Sequence, residues 1–321
     1  MQKKLLFIYN PTAGHGNVSQ KLEDFVDVFT ANGYDTIVHP TRRAGDIADT
    51  IPEYGNIPDI VVVAGGDGSI GEAFSALAKM QDPPPLGIIP SGSTNDFANS
   101  LMIPKNIIDA AIDIVSGEEM LIDAGTFNGK IYTYIAGFGL FTNIAYSTEQ
   151  AAKNFFGYFA YLWQAGKELF NVPVFKIRYT VNGRSEEGEF IYGMVTNSIS
   201  VAGVKNLTGR DVLLDDGLFE VNLIRNLKNP LELGEVMVCL LSGEQTPYIV
   251  REKTDSIVIE SDEPLQWTLD GEDGGSSSRG EIKILKQSVK IIVPDKFAHP
   301  EKRLPEKEDS KTEEDEYDEY N

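Results

Sequence analysis

The stretch Ala64 to Phe74, AGGDGSIGEAF, follows directly on the apolar run Ile60 to Val63. Glycines clustered at the end of a buried strand cost stability unless a close approach to the backbone uses them. A helical pattern begins at Ser69, so the backbone amides of Gly65, Gly66, Gly68 and Ser69 could converge with the positive helix end on one anion. Polyphosphate is the natural guest of such a loop. Asp67 sits awkwardly beside phosphate unless a divalent cation or its water shell lies between them. The alternative is a tight turn with Asp67 as a helix cap, and this loop alone leaves both readings open.

Two further loops carry similar chemistry. Asn10-Pro11-Thr12-Ala13-Gly14 ends the first apolar run with an amide, a hydroxyl and a glycine. Pro90-Ser91-Gly92-Ser93-Thr94-Asn95-Asp96-Phe97-Ala98 ends another with a hydroxyl-rich turn that caps a helix. Each alone is ordinary loop chemistry, but three at the carboxyl ends of one sheet point to a single phosphate site. The sequence contains no GxxxxGK[ST] and no GxGxxG, so the site belongs to neither the P-loop nor the common dinucleotide type.

The elements that must position these loops alternate over the first 125 residues. KLLFIYN, TIVHP, IVVVAGG, LGIIP and MLIDAGTF read as strands, with amphipathic helical stretches between them. The expected fold is an N-terminal doubly wound, Rossmann-like α/β nucleotide domain over 1–125, possible completion coming from a last strand over 290–300. From about Asn128 the runs IYTYIAGFG, VFKIRYTVN, EFIYGMVTN, LFEVNLI, SIVIES, LQWTLDG and EIKILKQSVKIIVP suggest a mostly antiparallel β-sandwich domain over 126–289. Helical interruptions are expected at about 143–170 and 231–243, and the active site in the cleft between the domains.

Composition narrows the function. A chain of 321 residues with 41% hydrophobic and 24% charged residues reads as a globular protein of about two domains. No apolar run approaches the ~20 residues of a spanning helix, and the single Cys239 can form neither an intramolecular disulfide nor a cysteine zinc site. A cytoplasmic location is expected. The net charge of −21 argues against nucleic-acid binding, which draws its affinity from lysine and arginine. The tail over 301–321 holds ten acidic and four basic residues, −6 of the total, and reads as disordered. The remaining −15 means that any docking on anionic lipid must use a local patch.

Asn10-Pro11, Gly65-Gly66-Asp67-Gly68-Ser69, the segment Pro90 to Ala98 and a late Leu269-Asp270-Gly271-Glu272 together resemble the bacterial soluble diacylglycerol kinases and their relatives, the sphingosine and ceramide kinases. The order and spacing match across about 1–295. The resemblance implies an ATP-dependent lipid kinase that uses Mg²⁺ to move the γ-phosphate of ATP to a lipid hydroxyl, diacylglycerol to phosphatidic acid being the first expectation. It places ATP on Asn10, Pro11, Thr12, Gly65, Gly66, Asp67, Gly68, Ser69, Gly92, Ser93, Asn95 and Asp96. It makes Asp270 the general base, Glu272 its neighbour, and Asp67 an organiser of phosphate and metal. Transfer to an alcohol does need a carboxylate at the acceptor hydroxyl, although Asp270-Gly271 also suits a hairpin turn. Ser69 and Ser93 stand where the family often has threonine, and Asn99 stands where arginine commonly follows.

The resemblance further implies a structural divalent metal at LLDDGLFEV, held by main-chain oxygens of Leu213 and Leu218 with Asp216, and linked by Asp215 and Asp216 to the nucleotide site. Asp215-Asp216-Gly217 is equally a turn. In NFFGYFAYLWQAGKELF, Phe155, Phe159, Leu162 and Leu169 share a helical face that reads as core, with a lipid cleft lip as the alternative. His15, His39 and His299 read as solvated loop residues, His15 within reach of phosphate. The lipid would be met by transient, peripheral contact with a membrane. The β-rich half offers strand edges through which a homodimer could form, and no segment compels it. The rival readings are a kinase of a soluble acceptor, as in NAD kinases and phosphofructokinases, and a nucleotide- or lipid-sensing protein with little catalysis.

Overall fold

The computed structural model describes residues 2–13, 17–140, 173–201, 204–205, 208 and 212–299. The early elements are β1 (Lys3–Tyr9), α1 (Asn17–Gln20), α2 (Leu22–Ala31), β2 (Tyr34–Pro40), α3 (Asp46–Tyr54), β3 (Ile60–Gly65), α4 (Asp67–Leu77), β4 (Leu86–Pro90), α5 (Asp96–Ser100) and α6 (Ile107–Ser116). Every residue of β3 and β4 is buried, as continuous apolar strands are when helices cover both faces of a parallel sheet. Phe7 of β1 packs against Phe25 and Phe29 of α2, with ring centroids 5.3 and 5.8 Å apart.

The order β2-β1-β3-β4 is parallel throughout. Since β1 has its successor on one side and β3 on the other, the chain reverses its lateral direction between them. That reversal opens a crevice at their carboxyl ends, the general ligand position of such sheets. Asn10 and Gly66 follow those two ends, and the Asn10 amide donates to the Ala64 carbonyl at 3.2 Å.

The later elements are β5 (Glu118–Phe127), β6 (Lys130–Tyr132), β7 (Ile135–Gly139), β8 (Phe175–Val181), β9 (Arg184–Thr196), β10 (Ser200–Val201), β11 (Val204–Lys205), β12 (Phe219–Arg225), α7 (Pro230–Ser242), β13 (Ile249–Thr254), β14 (Ser256–Leu269), β15 (Glu272–Val293) and α8 (Asp295–Ala298). Strand β5, expected as a fifth member of the doubly wound sheet, instead runs antiparallel to β15 and β6. The runs SIVIES and LQWTLDG are one strand, β14, whose register shifts between Glu260 and Leu265.

Strand β15 covers 22 residues and reaches from the Asp270 turn to the parallel block, where Ile291 pairs with Leu86 of β4. A register shift between Leu285 and Val289 lets it change partners along its length. The strands therefore form one hydrogen-bonded path, β13-β12-β9-β7-β14-β15-β4-β3-β1-β2, with β10 and β11 as a separate ribbon. A pair of stacked, separate sheets in the second half is not what the pairing gives.

Strands β7 and β8 share one row between β9 and β14: β9 pairs Tyr192 with Gly139 and Phe190 with Phe175. The chain leaves and re-enters this row at positions two residues apart on β9. The aromatic stretch over 154–170 lies outside the described residues, as do Gly14, His15 and the tail. Among the described residues no helix is long and apolar enough to cross a membrane. Two histidines read as solvated have partners: His39 Nε2 lies 3.2 Å from Thr50 Oγ1, and His299 Nε2 lies 2.8 Å from Glu118 Oε1.

Candidate active site

The 65–69 and 90–96 loops are laced together. Asp67 starts α4, yet its carboxylate caps a different helix: its two oxygens accept the amides of Asp96 and Phe97, each at 3.3 Å. The cap reading of Asp67 thus holds in altered form, across loops and not within its own. Gly66 and Gly92 meet backbone to backbone, since a side-chain carbon built on Gly92 would stand 2.5 Å from the Gly66 Cα. Asn95 holds a left-handed conformation that asparagine tolerates (φ 52°). Its side chain accepts the Gly92 amide at 2.9 Å and donates to the Gly92 carbonyl at 2.8 Å. Asn99 braces the same turn by donating to the Thr94 carbonyl at 2.8 Å. In the first loop, Asn10 Oδ1 accepts the Thr12 amide and hydroxyl at 3.0 and 2.9 Å.

Asp96 is fully buried and accepts the Ser200 hydroxyl at 2.8 Å, a contact between residues 104 positions apart. Ser100 and Ser198 are in hydrogen-bond contact at 2.8 Å beside it, and the Ser200 amide donates to Ser100 Oγ at 3.1 Å. The 90–96 loop is thereby fastened to the segment around β10.

Asp270 and Gly271 form the two-residue turn between β14 and β15, both at positive φ (52° and 82°), the arrangement of a type I′ hairpin. The hairpin reading holds, and the turn aims the Asp270 carboxylate inward. Its oxygens accept the Thr133 amide and hydroxyl at 2.6 and 2.8 Å, and the amides of Tyr134 and Ile135 at 2.9 and 3.1 Å. Glu272 lies against Gly68: a side-chain carbon at Gly68 would sit 2.8 Å from Glu272 Oε1.

Asp67, Gly68, Asp270 and Glu272 border one cleft of about 500 Å³. Asn10, Gly92, Ser93, Asn95, Leu213, Asp216 and Leu218 do not line it. Burial, and then the charge of Asp96, push the Asp67 carboxyl up to about 6; the Asp270 charge adds to this while the Asp96 and Phe97 amides oppose it. Burial likewise raises Asp270, against the pull of its four donors. Asp67 thus lies within the reach of two further charges, those of Asp96 and Asp270.

The 213–218 loop is closed onto another acid. Buried Asp123 accepts the amides of Gly217 and Gln287, each at 2.6 Å, while Asp216 Oδ1 accepts the Leu218 amide at 3.0 Å. Leu213, Asp215 and Asp216 are exposed. Burial raises the Asp123 carboxyl, and the charges of Asp216 and Asp215 add to that rise.

Sequence reasoning missed Ser200, Ser198, Ser100 and Thr133. Nothing local distinguishes these hydroxyls, whose partners are remote in the chain. Asp123 was equally silent inside the run MLIDAGTF, where a buried acid in an apolar strand was the available signal.

A family model described as the diacylglycerol kinase catalytic domain matches residues 4–127. A diacylglycerol kinase of Bacillus subtilis (strain 168) is 32% identical over 296 residues, covering 91% of this chain and 97% of the relative. One from Staphylococcus aureus (strain MRSA252) is 30% identical over 304 residues, covering 94% and 96%. Among solved structures, a Bacillus anthracis str. Sterne protein provisionally named as a diacylglycerol kinase superposes with a TM-score of 0.79 at 26% identity, covering 92% of this chain and 98% of that one. With the phosphate-type loops at the β1/β3 crevice and the paired acids of the cleft in place, these likenesses settle the kinship: the chain belongs to the diacylglycerol kinase family.

Proposed function

We propose that this chain transfers the γ-phosphate of ATP to the free hydroxyl of diacylglycerol, giving phosphatidic acid, by peripheral contact with a membrane. The observation that carries the reading is the cleft itself: Asp67 of the glycine loop and Asp270 of the late turn line one space, close enough that the Asp270 charge helps to raise the Asp67 carboxyl. The amides of the 65–69 loop, with Asn10, Pro11, Thr12, Gly92, Ser93 and Asn95, hold the phosphates of ATP. Asp67, with Asp96 behind it, would hold Mg²⁺, which when bound offsets phosphate charge during transfer.

Asp270 orients the acceptor hydroxyl and takes its proton as the new P–O bond forms. Burial supports that role by making its ionised form more basic, whereas the four hydrogen bonds fix where the carboxylate points. Glu272 limits the acceptor's position from the Gly68 side. The 213–218 loop, with main-chain oxygens of Leu213 and Leu218 beside Asp216, is proposed as a second divalent site that keeps the Asp123 junction folded. Asp215 and Asp216 both act on Asp123 there, and the Lys286 side chain packs against Gly217.

The test is label transfer from [γ-³²P]ATP to mixed micelles of diacylglycerol, monoacylglycerol, polyprenol or sphingosine, with NAD and fructose 6-phosphate as soluble acceptors. Labelled diacylglycerol that disappears in Asp270→Asn supports the reading. Label on a soluble acceptor alone, or none while ATP still binds, overturns it.

A further inference from the structure

The 500 Å³ cleft extends past Asp67 and Gly68 along surface that the other phosphate-type loops do not supply. Its floor is Asp67 and Asp270, and its walls are α3, α4 and the turn 129–131. Of the residues expected to hold ATP, Asp67 and Gly68 border it, whereas Asn10, Gly92, Ser93 and Asn95 do not. An acceptor whose hydroxyl sits at Asp270 must extend its remaining atoms along some path, and this is an open one.

The path has a chemistry of its own. Small residues, Ala48 of α3 with Gly71 and Ser75 of α4, keep it wide, and Pro52, Met80 and Ile131 supply apolar surface. Glu72, the acid on that face of α4, has its Oε1 taken by the Gly45 amide at 2.9 Å, which ties α3 to α4. At the rim stand Lys79 and Lys130, both exposed. In a chain of net charge −21, these two lysines are the cations of a lining that also holds Asp67, Glu72, Asp270 and Glu272, and Lys130 Nζ lies 3.5 Å from the Asp273 carbonyl oxygen. Such side chains lay their stems on apolar surface while their ammonium groups reach anionic lipid.

We infer that this cleft receives the glycerol-proximal part of an acyl chain of the lipid acceptor, with Lys79 and Lys130 seated against the anionic surface from which the lipid is drawn. The inference rests on the lipid-kinase reading above. It makes Ser75 and Met80 specificity-determining residues, because they set the width of the path beyond the reacting atoms.

The experiment compares wild type, Ser75→Trp and the double variant Lys79→Ala/Lys130→Ala. Acceptors are dioctanoylglycerol in neutral detergent micelles and long-chain diacylglycerol in vesicles with and without phosphatidylglycerol. Ser75→Trp is expected to lower kcat/KM for the micellar lipid at least tenfold while the KM for ATP stays within twofold. The lysine variant is expected to lose at least fivefold on anionic vesicles and less than twofold in neutral micelles. If Ser75→Trp unfolds, as read by circular dichroism, the lysine variant decides alone. Lipid kinetics within twofold of wild type for the deciding variant, or an equal rise in the KM for ATP, overturn the inference while leaving the lipid kinase standing. A wild type that labels no lipid overturns both.

Discussion

Ser200 donates a 2.8 Å hydrogen bond to Asp96, joining the 90–96 loop to the β-rich half through a fully buried carboxylate. A neutral donor to a charged acceptor is worth about 1.5 to 3 kcal/mol. Asp96 in turn presents its amide to Asp67, so Ser200 acts on the site through two residues. Ser200→Ala is expected to lose about 1.5 kcal/mol in urea unfolding and about tenfold in kcat, with the KM for the lipid little changed. Ser200→Thr, which keeps the hydroxyl, is expected to recover most of kcat; equal loss in both variants would assign Ser200 to packing alone.

Asp67 ties stability to pH. Its carboxyl is raised from 3.8 to about 6, so between those values the folded protein binds more protons than the unfolded chain. The associated stability is fully present below about pH 4 and is lost as pH rises through 6. A shift of about two units corresponds to about 3 kcal/mol at most, discounted by partial solvent access. In the absence of nucleotide and metal, the unfolding free energy of wild type relative to Asp67→Asn is expected to fall by about 2 to 3 kcal/mol from pH 4 to pH 7.5. A gap that stays constant across that range would mean that Asp67 titrates as an ordinary carboxylate.

Thr133 controls where Asp270 points, since its amide and hydroxyl both donate to the same oxygen. Thr133→Val removes one donor and leaves the amide. With less stabilisation of the charged form, the Asp270 carboxyl rises further. The acid limb of kcat/KM for the lipid is expected to move to higher pH, with about a tenfold loss of rate at pH 6 and less at pH 8. A uniform loss at all pH values would point to simple misplacement.

The contact of Gly66 with Gly92 leaves no space for a methyl group. Overpacking of this kind costs about 1 to 3 kcal/mol. Gly92→Ala is expected to raise the KM for ATP at least tenfold, measured beside a thermal midpoint lowered by several degrees. An unchanged KM for ATP would separate this turn from the nucleotide.

The loops around the candidate site were legible because turn chemistry is local. Glycines after a buried strand, Asn10 after β1 and the Asn95-Asp96 turn after β4 announce themselves within a few residues. The fastenings were not legible, because Ser200 and Thr133 lie 104 and 137 positions from their carboxylate partners. Strand β5 has the pattern of a buried strand whichever way its neighbour runs, so its antiparallel pairing had no sequence signature. In β14 the residues Asp262, Glu263 and Pro264 read as a break. They fall instead within a change of register, where the strand passes from pairing β8 to pairing β7.

Strand β15 also dates the completion of the fold during synthesis. The parallel block β2-β1-β3-β4 is translated within the first 90 residues, but the outer edge of β4 gains its partner only when Ile291 emerges. Until then an apolar, hydrogen-bond-hungry edge faces the solvent, the kind of surface that recruits other chains. For most of that interval the parallel block therefore waits for β15, and a chain truncated before 291 would carry an unfinished sheet.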